Sequence, residues 1–104
     1  MIHLPASVRV YLCLTPCDMR KSFDGLSGLV QNQMGRNPLS GEVFLFINRK
    51  KDSIKLLRWE SGGYVVYYKR LEKGTLALPK DLSEGNYASI GWPELVLMIE
   101  GILV

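Results

Sequence analysis

Basic side chains are concentrated in the middle of this sequence, and their chemistry is the first clue to its function. The window from Arg49 to Lys73 contains eight Lys or Arg residues and three acids, a net charge of +5, whereas the whole 104-residue chain carries +3. Such side chains neutralise phosphates, and each contact displaces counterions. This uneven distribution therefore indicates an anionic partner. The candidate phosphate contacts are Arg49, Lys50, Lys51, Lys55, Lys69 and Arg70.

Aromatic residues alternate with these cations. If the apolar runs that flank residues 48–53 pair with each other, these residues form a hairpin loop with the first three cations at its tip. Alternation along the next strand places Arg70 on the same face as Tyr68. Aromatic rings can stack on exposed bases, and a two-stranded ribbon can enter a major groove. The competing interpretation is a solvated surface, because lysine is common on edge strands and strand aromatics usually belong to a core.

The sequence contains no recognisable set of catalytic or metal-binding residues. The only histidine is His3, so a Ser-His-acid or Cys-His site would have to recruit the N-terminus. Cys13 and Cys17 have no second ligand pair for zinc, and we interpret them as two reduced thiols. Asp18 and Asp24 are six residues apart, which places them about 120° from one another on a helix. We therefore predict that the protein is not an enzyme and uses no metal or cofactor.

Composition is that of a globular domain. The hydrophobic fraction is 47% and the charged fraction is 22%, which are ordinary values. A chain of 104 residues is long enough for one core, so we predict a single domain over residues 1–104. No apolar run approaches the roughly 20 residues of a membrane helix, and no signal peptide is evident. We therefore expect a cytoplasmic protein without a membrane partner.

Hydrophobic periodicity indicates the elements that must position the basic residues. Residues 8–14 alternate as a strand does. Residues 18–35 show a three-four spacing that is typical of a helix with one apolar stripe. Asp18 is the expected N-terminal cap, and Gly35 can end the helix in the left-handed conformation.

A series of short apolar runs follows the first helix. Residues 42–47 are apolar on both faces, which indicates a central strand. The next runs are 53–60, 64–71 and 75–79, and their short connections favour antiparallel neighbours. The predicted fold class is α+β: an antiparallel β-meander sheet of about five strands, in the order β-α-β-β-β-β-α along the chain, packed against two helices.

The last predicted element is a helix over residues 93–104, and nearly all of its residues are apolar. A domain of this length can hardly bury a helix on every side, which indicates a contact with another protein. The candidate partner-binding residues are Leu95, Met98, Ile99 and Ile102.

Three motifs carry a resemblance to a known family: "DMRKSFDGL" from Asp18, "FINRKKDSIKLLRW" ending at Trp59, and "KRLEKGTLALP" from Lys69. They resemble the TnpB accessory protein, or second-open-reading-frame-like protein, of the IS-sixty-six family of bacterial insertion sequences. The match covers nearly the whole chain in order and spacing. One departure is Leu78, where an aromatic residue is expected before Pro79. The matched positions are Asp18, Arg20, Lys21, Asp24, Arg49, Lys55, Trp59, Lys69, Arg70 and Glu72.

The resemblance implies a non-catalytic accessory factor for transposition, which leads to two hypotheses. In the first, the basic hairpin face contacts DNA at or near the ends of the element, with Arg20 and Lys21 as secondary contacts. In the second, the C-terminal helix binds the transposase of the same element or a second copy of the chain, and the hairpin only maintains solubility. A cryptic nuclease is a third interpretation, which the scattered acids disfavour.

Overall fold

The part of the chain that the structure describes contains five strands and two helices. The computed structural model describes residues 4–79 and 85–100. The elements in chain order are β1 (Val10–Cys13), α1 (Phe23–Asn32), β2 (Val43–Ile47), β3 (Ser53–Glu60), β4 (Gly63–Arg70), β5 (Tyr87–Ile90) and α2 (Trp92–Glu100). The strands form one sheet in the order β4-β3-β2-β1-β5. The predicted α+β class, the number of strands and the order of elements are confirmed.

The predicted antiparallel meander is wrong in one respect, because the sheet is mixed. β1 runs parallel to β2, with Val10 opposite Val43, while the β1–β5, β2–β3 and β3–β4 pairs are antiparallel. The physical reason is the connection between β1 and β2. A long crossover that contains a helix brings the chain back in its original direction, whereas short hairpins reverse it.

The last strand is also not where the sequence predicts it. Residues 75–79 form no strand; instead Leu76 is buried, and its backbone N–H donates to the Lys51 carbonyl at 2.7 Å. β5 comes from residues 87–90, where the sequence analysis predicts no helix or strand. It has only four residues and includes Ala88, a residue type with little preference for strands. It is held by the antiparallel partner that β1 provides, which local pattern does not reveal.

Each face of the sheet has its own core, covered by one helix. α1 places Leu26 and Val30 over the face that carries Phe44 and Phe46. α2 covers the opposite face with Leu95, Met98 and Ile99, which pack in one cluster with the inward side chains of β1, β2 and β3. β2 is buried at all five positions, which confirms the central strand predicted from its double-sided apolarity.

The first helix begins later than the sequence predicts. It starts at Phe23, so the predicted cap at Asp18 is wrong, and Ser22 takes the N-cap position without a side-chain hydrogen bond. The Asp18 carboxylate instead accepts the Arg20 backbone N–H at 2.9 Å, which closes a local turn. Gly35 has a φ of +61°, which confirms the left-handed residue at the end of the helix.

Neither helix is long and apolar enough to cross a membrane, within the two stretches that the structure describes.

Candidate nucleic-acid interface

The loop between β2 and β3 is a tightly bonded tip. The Asn48 side-chain oxygen accepts the backbone N–H groups of Asp52 at 3.1 Å and Ser53 at 3.0 Å, and its amide donates to the Asp52 carboxylate at 2.6 Å. The hydrogen bond from Asn48 lowers the pKa of Asp52, which therefore stays ionised at neutral pH. The side chains of Arg49, Lys50 and Lys51 are exposed, as the hairpin prediction requires. The tip thus presents three cations on a fixed backbone.

Strand register decides which face each remaining cation occupies. Across the β3–β4 pair, Lys55 lies opposite Tyr68, Ile54 opposite Lys69, and Ser53 opposite Arg70. Because side chains alternate between faces, Lys55, Tyr68 and Arg70 share the α1 face, while Lys69 points to the α2 face. The cations of the basic window therefore divide between the two sides of the sheet.

A shallow depression of about 400 Å³ joins the hairpin tip to the α1 face. Three cations line it, Arg49, Lys50 and Arg70, together with the exposed ring of Tyr68. Its remaining lining residues come from the turn before α1 and from the tip: Cys17, Asp18, Met19, Asn48, Asp52 and Ser53. The structure thus brings half of the six main candidate phosphate contacts to one place.

Two acids share this depression with the cations. Asp18 is paired with Arg20, whose guanidinium donates at 2.6 Å to one carboxylate oxygen. The hydrogen bonds from Arg20 lower the pKa of Asp18 to about 2, so the pair remains charged. The Arg20 side chain is 91% exposed, which leaves its other donors free for a ligand. Lys21, the other secondary candidate, is also exposed, next to this turn.

Lys51 lies on the other side of the tip. It lines a smaller cavity of about 180 Å³, together with the end of β1, Pro16 and Leu78. Arg49 borders both cavities. Lys51 is therefore exposed but separated from the group formed by Lys50 and Arg70.

Lys55 and Lys69 have partners within the protein. The Lys55 side chain is buried, and its ammonium donates to the Lys21 carbonyl at 2.7 Å, just before α1. The Lys69 ammonium donates to the Ile99 carbonyl at 2.7 Å, in the last turn of α2. Lys55 therefore connects the sheet to the turn before α1, and Lys69 connects it to α2, so both ammonium groups are engaged within the protein.

The cysteine thiols do not add reactivity to the site. Cys13 and Cys17 are free and buried beneath α1. Burial raises the pKa of Cys17 to about 11 and also raises that of Cys13, so both stay as neutral thiols at neutral pH.

The candidate partner-binding residues of the C-terminal helix are mostly internal. Leu95, Met98 and Ile99 are buried in the core on the α2 face, and Ile102 lies outside the described residues. The helix does expose Leu97, which is 42% accessible. A single exposed leucine is common on protein surfaces, so the adaptor hypothesis stays a prediction.

Sequence reasoning missed which aromatic residue stays exposed. Alternation distinguishes Tyr68 from Tyr67, but Tyr64 shares the parity of Tyr68 and is half-buried against the α1-face core. Tyr64 lies beside Trp59, with ring centroids 5.0 Å apart, whereas Tyr68 remains 51% exposed. The only signal in the sequence is that Tyr68 adjoins Lys69 and Arg70.

The fold is that of a small mixed α+β domain with a cationic loop at one end of its sheet. The chain belongs to the family of IS66 Orf2-like proteins, whose family model matches residues 8–104. This confirms the resemblance carried by the three sequence motifs. It associates the protein with transposition of an insertion sequence, as an Orf2-like accessory protein.

Two relatives from Sinorhizobium fredii (strain NBRC 101917 / NGR234) are similar over most of the chain. The uncharacterized protein y4hO is 31% identical over 102 residues, which cover 98% of this chain and 87% of y4hO. The uncharacterized protein y4jC is 28% identical over 79 residues, which cover 76% of this chain and 68% of y4jC. No solved structure matches the chain.

Proposed function

We propose that this IS66 Orf2-like protein assists transposition by contacting DNA at or near the ends of its element. The observation that supports the proposal most directly is the meeting of Arg49, Lys50 and Arg70 around one depression. Arg70 ends β4 and is distant in sequence from Arg49 and Lys50, which are neighbours in the loop between β2 and β3. A cluster of guanidinium and ammonium groups on a fixed backbone suits the phosphates of a nucleic acid.

The proposed interface is smaller than the one predicted from sequence. Lys55 and Lys69 are engaged with backbone carbonyls, so the main contacts reduce to the three cations of the depression. Arg20 and Lys21 stay secondary contacts, because they directly follow Asp18 and Met19, which line the depression, and Lys51 extends the charge across the tip. Three phosphate contacts to duplex DNA predict a log–log salt slope of about −2.7, and each further contact adds about −0.9.

The test is titration of a labelled duplex from the element ends, followed by fluorescence anisotropy at several salt concentrations. We expect Arg49→Ala, Lys50→Ala and Arg70→Ala each to weaken binding and to reduce the salt slope by about 0.9, because each removes one phosphate contact. A scrambled duplex of equal length shows whether the binding depends on sequence.

Arg9→Ala is the matched control, because it also removes one exposed cation. Arg9 precedes β1, and its carbonyl accepts the Val43 backbone N–H, so it lies at the end of the sheet opposite the hairpin tip. Its loss should leave the salt slope nearly unchanged. Equal effects of all four substitutions would show that only net charge matters and would contradict this interface. Absence of binding to the duplex at low salt would contradict contact with duplex DNA.

A further inference from the structure

Tyr68 presents an exposed aromatic ring beside the proposed phosphate contacts. Its side chain is 51% accessible, and it lines the same depression as Arg49, Lys50 and Arg70. Burying an aromatic side chain is strongly favourable, so a ring left half in water within a cationic depression is available to a ligand.

The orientation of this ring is fixed by a cation below it. The Lys55 ammonium lies 4.6 Å from the centroid of the Tyr68 ring, over its face. Lys55 is itself held by its hydrogen bond to the Lys21 carbonyl, and its backbone lies directly opposite that of Tyr68 in the sheet. A cation–π contact of this kind restrains the ring before any ligand arrives. Less conformational entropy is then lost on binding.

The cations around the ring are spaced along the direction of the strand. Arg70 is two residues beyond Tyr68 on the same face, a separation of about 7 Å. Arg49 and Lys50 line the same depression from the hairpin tip. Proteins that bind single strands combine an aromatic platform for a base with basic groups that follow the backbone.

We infer that this surface binds single-stranded DNA, with Tyr68 as the platform for an unpaired base and the neighbouring cations as its phosphate contacts. The inference deepens the proposed DNA-binding function and rests on it. An unpaired base can offer a free face to the ring, whereas paired bases within a duplex are stacked on their neighbours. A ring that lies on the sheet, rather than at the hairpin tip, is also poorly placed to enter a groove.

The experiment compares a labelled single strand with the duplex of the same sequence, again by fluorescence anisotropy at low salt. We expect Tyr68→Ala to weaken binding of the single strand by about 5- to 150-fold, the range of one lost base stack. Binding of the duplex should change by less than about twofold, because the phosphate contacts remain. Tyr68→Phe keeps the ring and should bind the single strand as the unchanged protein does.

Leu39→Ala is the matched control, since Leu39 is equally exposed at 51% and does not line the depression. It should affect neither substrate. A strand whose bases are replaced by abasic sites provides a second control. With that ligand, Tyr68→Ala and the unchanged protein should bind equally, because no base is left to stack.

The outcomes separate this inference from the proposed function. If the protein binds DNA through Arg49, Lys50 and Arg70, but Tyr68→Ala leaves single-strand binding unchanged, the stacking inference is wrong and DNA contact stands. Equal losses for duplex and single strand would also overturn it, because the ring would then only support the fold. If the unchanged protein binds neither form, both proposals are wrong.

Discussion

At the scale of the residue, the same side-chain type serves two purposes in this protein. Lys50 is exposed beside the depression, whereas Lys55 is buried with its ammonium on the Lys21 carbonyl. Both belong to the basic window, and charge counting treats them alike. The difference lies in strand register, because Lys55 points under the start of α1. A buried ammonium is tolerated only when its donors are satisfied, which the carbonyl and the Tyr68 ring achieve.

The Lys55→Met substitution tests this structural role. Methionine keeps most of the aliphatic chain but removes the donor, so the Lys21 carbonyl loses its hydrogen bond from Lys55. We expect a loss in the free energy of unfolding of about 1–3 kcal/mol. Urea denaturation followed by circular dichroism measures it.

Lys50→Met is the control for Lys55→Met, because Lys50 is exposed and has no comparable bond among the described residues. Its effect on stability should lie within about 0.5 kcal/mol of zero. If the two variants were equally stable, the hydrogen bond of Lys55 would have no net structural value.

At the scale of the element, each helix is fastened to the sheet by apolar packing and by one lysine. For α2 the apolar part consists of Leu95, Met98 and Ile99, and the polar part is the bond from Lys69 to the Ile99 carbonyl. Carbonyls in the last turn of a helix have no partner within the helix, and a cation there also complements the helix dipole. Lys69 therefore supports the C-terminal end of α2.

Lys69→Met should loosen this end of α2 and leave the sheet intact. We expect the described amides of α2 to exchange hydrogen faster, by about 5- to 30-fold for a local loss of 1–2 kcal/mol. Hydrogen exchange followed by mass spectrometry detects this change. Lys73→Met, which removes an exposed cation, is the control and should leave exchange in α2 unchanged. Unchanged exchange in Lys69→Met would contradict the anchoring role.

The sequence pattern predicted which segments form helices and strands better than it predicted which segments pair with each other. The double-sided apolarity of β2 correctly indicated its central position, because full burial on both faces leaves a direct mark on composition. The predictions for β5 and for residues 75–79 were wrong because local pattern does not reveal distant partners. The conformation of β5 depends on β1, and that of residues 75–79 depends on Lys51. For the candidate site, alternation correctly put Tyr68 with Arg70. Alternation could not show that Lys55 and Lys69 donate to the Lys21 and Ile99 carbonyls, because that depends on where both helices pack on the sheet.

At the scale of the whole molecule, two cores lie on opposite sides of one sheet, and the second depends on α2. The α2-face cluster includes Leu12, Leu45 and Leu56 from three neighbouring strands, all of them buried. The sheet face that α2 covers is therefore part of the hydrophobic core and not a separate binding surface.

Deletion of residues 92–104 should therefore prevent stable folding. The deletion exposes the apolar face of the sheet, and losing even one buried large aliphatic residue costs about 2–5 kcal/mol. We expect the loss of a cooperative thermal transition by circular dichroism, together with aggregation in sedimentation velocity experiments. Leu97→Ser in the full chain, which alters an exposed position of α2, should keep the transition. A folded, monomeric deletion variant would contradict this account.

The position of β5 also determines when the sheet can be completed. β1 pairs with β5, which begins 74 residues after the end of β1. At a synthesis rate of about 5–20 residues per second, roughly 4–15 s separate the two strands as they leave the ribosome. During that interval the outer edge of β1 has unpaired backbone groups, and such edges promote association with other chains. Nascent chains of this protein thus pass through a period in which β1 has been synthesised but its partner β5 has not.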